Sequence, residues 1–290
     1  MAFTKLLAGV YCADHRVAEG KNGVIFGNAR ALVIDVGTDP QEGSELATFV
    51  QQAGFAPSRV VLTHGHSDHV LGGAAFEGAE VFASSLIYDH MRQHLRRFAE
   101  RKGLHYAELL AQALKPTITF NNELTIDLGG KVVRLFPAPG HSPDGICAYL
   151  EQDRLLFASD TVVTGIVPAI NDGDSAVLEN SLTKIRRMEI EILVPGHGSV
   201  LYGSEAIQEW LMWEIAYLSS IRSAVAEVLA EKPSADDEMI ALAAPFQRLI
   251  GERFPKDKHN MDSRHRATVL KIAAEERVHQ GIVAISEGQE

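Results

Sequence analysis

Along the first two hundred residues the apolar positions switch between the two-residue rhythm of strands and the wider rhythm of helices. The apolar run at residues 5–12, KLLAGVYC, reads as a first strand. Val24-Ile25-Phe26 and Ala31-Leu32-Val33-Ile34 flank Gly27-Asn28, which predicts a hairpin turn. Residues 42–52 read as a helix, Arg59 to Thr63 as a short buried strand, and Val81-Phe82-Ala83 as another strand. Residues 84–114 are helical in pattern and highly charged. Strand signals follow at 117–120, 124–128, 131–136, 146–150 and 154–158. A helix is expected over 174–188 and a strand at Ile192-Leu193-Val194. From Ser204 the pattern is helical throughout, at 205–231, 236–251 and 262–278, punctuated by Pro233, Pro245 and Pro255. A boundary near Gly203 therefore separates a region 1–203 from a helical region 204–290.

Composition narrows the class. Hydrophobic residues make up 46% and charged residues 22% of 290 positions, so the chain can bury a sizeable core. The formal net charge of -11 is a poor match for nucleic acid or an anionic membrane, and no apolar run reaches bilayer length. Neither nucleic acid nor a membrane is an expected partner. The two cysteines, Cys12 and Cys147, indicate no disulfide framework. Each reads as a small buried hydrophobe, and a reducing, cytoplasmic setting is expected. No clear small-x-small cleavage site precedes Asp14.

The chemistry concentrates in Thr63-His64-Gly65-His66-Ser67-Asp68-His69. Four potential ligands fall within six residues directly after a strand, and imidazole with carboxylate is a donor set for zinc, iron or manganese. If alternate residues face different ions, such a loop can serve two metals. Three further candidates also follow apolar strands: His141 in Pro139-Gly140-His141-Ser142-Pro143, Asp160 in Phe157-Ala158-Ser159-Asp160-Thr161, and His197 in Val194-Pro195-Gly196-His197-Gly198. Singly, each could be a loop residue or turn former. Together they match the usual site of a layered α/β protein, at the carboxyl ends of several strands.

The set THxHxDH, PGHS, SDT and PGHG, in this order over roughly residues 1–203, resembles the metallo-β-lactamase-fold hydrolases. The resemblance implies an α/β fold, an αββα sandwich with a helical C-terminal extension. It implies that His64, His66 and His141 hold one metal, that Asp68, His69 and His197 hold a second, and that Asp160 bridges them. Two divalent ions, zinc first and iron or manganese as alternatives, would share an activated water that attacks a small carbonyl substrate. Asp68 is the expected catalytic residue, orienting that water. His66 stands where oxygen-reducing di-iron members carry a carboxylate, and Asp160 stands where true β-lactamases generally lack one. Val70-Leu71-Gly72-Gly73 looks like glyoxalase II and its relatives, but residues 204–290 hold no counterpart of their glutathione-binding basic motif. The expected substrate is therefore broad: a thioester, lactone, ester or amide. The alternative is a persulfide-dioxygenase-like oxygenase with one iron on His64, His141 and Asp160.

Beyond the ligands, 84–116 would form a helical lid inserted between strands. His90, His94, Arg97 and Arg101 recur there at helical spacing, as an anionic-substrate contact or simply a solvated face. His94, Arg97, Tyr202 and His265 are the candidate substrate contacts, with Arg264 beside them. Asp262 is the expected cap of the last helix. The stripe Trp210, Met212, Trp213, Ile215, Tyr217, Leu218 reads as core or as the contact of a homodimer.

Overall fold

The computed structural model describes residues 1–250, 253–254 and 258–282, so Pro255 lies outside the described residues. The first half of the chain runs β1 (Phe3–Leu7), β2 (Val10–Asp14), β3 (Lys21–Phe26), β4 (Ala31–Ile34), α1 (Pro40–Gln52), β5 (Arg59–Val61), α2 (Ser67–Val70), β6 (Glu80–Ser84), α3 (Ile87–Lys102), α4 (Tyr106–Gln112) and β7 (Ile118–Phe120). The second half runs β8 (Leu124–Asp127), β9 (Val132–Pro137), β10 (Ile146–Leu150), β11 (Leu155–Ser159), α5 (Ser175–Arg186), β12 (Ile192–Pro195) and β13 (Leu201–Tyr202). Then come α6 (Ser204–Glu231), α7 (Asp237–Ala243), α8 (Phe246–Ile250) and α9 (Met261–His279).

The strands form two mixed sheets, ordered β1-β2-β3-β4-β5-β6-β7 and β13-β12-β11-β10-β9-β8. Pairing is antiparallel from β1 to β4 and parallel from β4 to β7. In the second sheet only β11 and β12 run parallel. Central strands such as β4, ALVI, are buried on both faces and read as continuous apolar runs. Their alternate residues serve different layers. Ile25, Leu32 and Ile34 meet Leu135, Ile146 and Leu155 between the sheets, while Val24 and Val33 face α1 and α3 outside. The outer face of the second sheet packs on α5, α6 and α9 in one continuous cluster that includes Leu193, Leu211, Ile221 and Ile272. The helical extension is thus fused to the sandwich by shared core. This is the αββα arrangement.

Several local expectations need correction. Residues 5–12 are not one strand but a hairpin, because Gly9 takes a left-handed φ of 74° and reverses the chain between β1 and β2. The β3–β4 connection is four residues rather than two, closed by the Gly27 amide on the Arg30 carbonyl (2.9 Å). The 84–114 helix is two, with Gly103 at φ 64° ending α3. The expected 236–251 helix divides into α7 and α8 around Pro245, which has no amide to continue the ladder. Asn260, not Asp262, occupies the cap position of α9, and Asp262 sits in the first turn.

Candidate metal centre

Five chain segments bring their functional side chains to one edge of the sandwich, where β4, β5, β9, β11 and β12 end. The turn after β5 continues into α2, so His64, His66, Asp68 and His69 fan out from one short segment. His141 follows β9, Asp160 follows β11 and His197 follows β12. Ser159, just before Asp160, and Asp35, just after β4, are non-glycine residues with left-handed φ of 49° and 57°. Strain of this kind persists only where the surroundings over-determine it.

Asp160 lies at the centre. Its Oδ2 is 3.3 Å from His141 Nε2, 3.4 Å from His197 Nε2 and 3.9 Å from His64 Nε2, and its Oδ1 is 3.4 Å from His69 Nε2. Asp68 Oδ2 is 3.4 Å from His197 Nε2 and 3.8 Å from His69 Nε2. His66 turns Nδ1 inward, 2.9 Å from His141 Nε2. Donor atoms of His64, His66, His141 and Asp160 lie within 4.8 Å of one another, as do those of His69, Asp160 and His197. Asp160 belongs to both groups. Gly196 must be glycine here, because a Cβ would lie 2.0 Å from Asp160 Oδ1.

The opposite side of each ring is held by other groups, which fixes its orientation. His69 Nδ1 is 2.8 Å from Asp35 Oδ2, and the same carboxylate accepts the Thr63 amide (2.8 Å) and hydroxyl (2.7 Å). His141 Nδ1 is 2.6 Å from the Ala169 carbonyl, and His197 Nδ1 lies 3.1 and 3.2 Å from those of Val17 and Ala18. His64 Nδ1 contacts the hydroxyls of Thr63 (3.2 Å) and Ser159 (3.3 Å). The inward atoms are less satisfied: His64 Nε2, His69 Nε2 and Asp160 Oδ1 are buried without a hydrogen-bond partner. Orphaned polar atoms of this kind, in an imidazole-carboxylate set, fit metal ions.

The electrostatics follow from this packing. Burial and the neighbouring imidazoles push His64 well below its ordinary pKa, and burial takes His66 down to about 3 despite Asp172. For His69 and His197 burial also opposes the charge, yet nearby carboxylates outweigh it. Asp35, Asp160 and Asp68 hold His69 well above its usual value, and Asp160 and Asp68 raise His197 to about 10. Asp160 and Asp68 are held well below the carboxylate range against the cost of burial, Asp160 chiefly by His197, His141 and His69, and Asp68 by His69 and His197.

A cleft of about 400 Å³ opens over the centre. Its lining includes His66, Asp68, His141, Asp160 and His197, with His94, Arg97, Phe98 and Arg101 from α3 and Arg264 from α9. α3 is tied to the loop before α5. Asp172 Oδ2 is 3.1 Å from His66 Nε2 and 3.0 Å from His94 Nδ1, and Oδ1 is 2.9 Å from Arg97 Nη2. His90 Nδ1 lies 2.7 Å from Asp144 Oδ1, while Asp144 Oδ2 accepts the Gly65 amide (2.8 Å). Of the four expected substrate contacts, His94 and Arg97 reach the cleft. Tyr202 and His265 are not among its lining residues. Tyr202 is 54% exposed on β13, the short edge strand of the second sheet. His265 is buried among the C-terminal helices, its Nδ1 2.9 Å from the Tyr217 hydroxyl and its Nε2 2.7 Å from the Ala244 carbonyl. Tyr217 and Leu218 of the aromatic stripe are buried in the core, while Met212 is exposed.

The sequence pattern does not single out Asp35, Asp144, Asp172 or His15. Asp35 follows apolar β4 as Asp160 follows β11, and that strand-end position is its available signal. Asp144 and Asp172 sit in Pro/Gly-rich turns where an aspartate also forms turns by itself.

Two facing mixed sheets, covered by helices and carrying a His/Asp centre at their strand ends, define an αββα sandwich with its site at one edge. The sequence matches the metallo-β-lactamase superfamily over residues 20–197, and the chain belongs to that superfamily. It is 26% identical over 238 residues to a hydroxyacylglutathione hydrolase of Francisella tularensis subsp. novicida (strain U112), covering 81% of this chain and 83% of that protein. It is 27% identical over 191 residues to an atrochrysone carboxyl ACP thioesterase of Passalora fulva, covering 63% of this chain and 50% of that protein. A metallo-β-lactamase family protein from Thermus thermophilus superposes with a TM-score of 0.68 at 16% identity, covering 96% of this chain and 95% of its own. The stereoselective inverting sec-alkylsulfatase Pisa1 from Pseudomonas sp. superposes at 0.70 and 14% identity, covering 98% of this chain and 51% of its own. At these identities the superpositions speak for fold alone. Among the described residues no helix is long and apolar enough to cross a membrane.

Proposed function

We propose that the protein is a metal-dependent hydrolase of small carbonyl substrates, working with two divalent cations, zinc before iron or manganese. The observation that carries this reading is the convergence of seven donor side chains with three buried, unpartnered inward atoms. The named activities of the relatives, a hydroxyacylglutathione hydrolase and a carboxyl ACP thioesterase, support an acyl substrate such as a thioester. Lactones, esters and amides have the same electrophilic carbon. His64, His66 and His141 would hold one cation, Asp68, His69 and His197 the other, and Asp160 both. When bound, the cations would supply Lewis acidity, polarising the carbonyl and making water acidic enough to lose a proton near neutral pH. The completeness of the His69, Asp160, His197 group supports two cations over a one-iron oxygenase, and thiol-dependent oxygen uptake distinguishes the two.

The chain's own residues do the rest. Asp68, which lines the cleft, orients the attacking water through its carboxylate. A thiol nucleophile is not needed, and burial pushes Cys12 up to about 11 and Cys147 up to about 12. Arg97 is committed to Asp172, but among the described residues Arg101 and Arg264 form no ion pair while lining the cleft. Uncompensated guanidiniums in the cleft of an acidic chain favour a substrate carrying a carboxylate or similar anion. Phe98 and Ile166 add apolar contact. Matched thioesters with and without a terminal carboxylate test this reading. Arg101→Gln or Arg264→Gln should raise KM for the carboxylate substrate about tenfold, or about 1.4 kcal/mol, and leave the neutral one unchanged. Equal KM values for both substrates in every variant would contradict the anion preference. Turnover that persists after chelation would contradict the metal dependence.

A further inference from the structure

His15, at the end of β2, belongs to none of the ligand motifs, yet it is 3% exposed and borders the Asp68 side of the centre. A donor atom of His15 lies within 4.8 Å of donor atoms of both Asp68 and His69. Its ring stands edge-on to those of His69 and His197, at 5.7 and 5.5 Å between centroids. The segment that carries it, residues 15–20, also brings the Val17 and Ala18 carbonyls to His197 Nδ1. Gly20 packs against the Nε2–Cε1 side of the ring so closely that a Cβ would lie 1.9 Å from both atoms. Gly20 in turn bridges to His197 through the backbone. Gly20 therefore fixes where the ring can lie.

Its tautomer is fixed as well. The Val17 amide donates to His15 Nδ1 (3.2 Å), so in a neutral ring the proton sits on Nε2. His15 Nε2 is buried and has no hydrogen-bond partner. A protonated nitrogen cannot ligate a cation, so this ring is a donor beside a set of ligands. We propose that His15 is a positioning residue of the centre, presenting Nε2–H to the Asp68 edge and fixing that carboxylate in the orientation it needs to act on water. The inference rests on the metal-centre reading above and goes beyond its seven ligands.

Three substitutions separate this role from the others. His15→Phe keeps a ring against Gly20 but removes the donor. His15→Gln keeps an N–H at a similar reach, and His15→Ala removes both. For zinc-loaded protein, His15→Phe should lower kcat by ~10–100-fold, the usual loss for a partner of a ligand. KM and zinc stoichiometry should stay at the parent values, and His15→Gln should recover most of kcat. Zinc affinity by chelator competition and melting temperature are read on the same samples. Loss of one zinc per chain in both His15→Phe and His15→Gln would overturn the proposal in favour of an eighth ligand. Parent kcat in His15→Phe, with His15→Gln no better, would reduce the ring to packing. A parent chain that binds no zinc would overturn the metal-centre reading itself, an outcome seen before any variant is made.

Discussion

Replacing Asp35 by asparagine should weaken one half of the centre and spare the other. The Asp35 carboxylate is 2% exposed and accepts three hydrogen bonds: His69 Nδ1–H (2.8 Å), the Thr63 amide (2.8 Å) and the Thr63 hydroxyl (2.7 Å). That arrangement keeps the proton of a neutral His69 on Nδ1 and leaves Nε2, which faces Asp160, free to ligate. Asparagine has one oxygen. If that oxygen stays on Thr63, its NH₂ faces His69, and the neutral ring must move its proton to Nε2, where it blocks coordination. If the oxygen turns to His69, the Thr63 amide is left buried and unpaired. Loss of such a partner costs ~10–100-fold in metal affinity, or about 1.4–2.7 kcal/mol. The assay is a zinc titration of metal-free protein against a chromophoric chelator, fitted to two sites. The site built on His69 and His197 should weaken by that factor, and the site built on His64, His66 and His141 should not. Equal weakening of both sites would mean general loosening, and no change in either would refute the orienting role.

Other substitutions probe separate features. Asp160→Ala removes the carboxylate shared by four imidazoles, so zinc loading and turnover should fall together; full occupancy with a parental rate would exclude a bridging role. Glu214 is fully buried in α6, its Oε1 accepting the Val163 amide (3.1 Å), and burial pushes its carboxyl well above the usual range. A raised folded pKa contributes stability that is complete below the ordinary carboxyl pKa and is lost as pH rises toward the folded value. Glu214→Gln cannot ionise and should gain on the parent, by up to ~1.4 kcal/mol per pH unit, as pH rises above the ordinary carboxyl pKa. Urea unfolding at several pH values reads this difference, and parallel curves would contradict it.

The candidate ligands are legible in the sequence because their chemistry is dense and local. Four donors in Thr63 to His69 leave few other readings, and His141, Asp160 and His197 each follow an apolar strand. The layers are legible because doubly buried strands such as β4 and β11 are continuous apolar runs. What the pattern misses depends on backbone angles or on contacts distant in sequence. Gly9 reverses the chain inside a run that reads as unbroken strand. His15 and Asp35 acquire meaning only when β2 and β4 are brought beside the turn after β5. His265 reads as a substrate contact because its neighbourhood is polar, but Tyr217 and Ala244 take up both of its nitrogens.

The most direct test is elemental analysis of the purified chain, alongside hydrolysis of a thioester, lactone and aryl ester panel before and after chelation. Seven converging donors predict two equivalents of divalent metal per chain, hydrolysis lost on their removal, and recovery in step with zinc added back. A chain that holds no divalent metal under any loading condition, or that hydrolyses the panel equally well without it, would contradict the metal-centre reading.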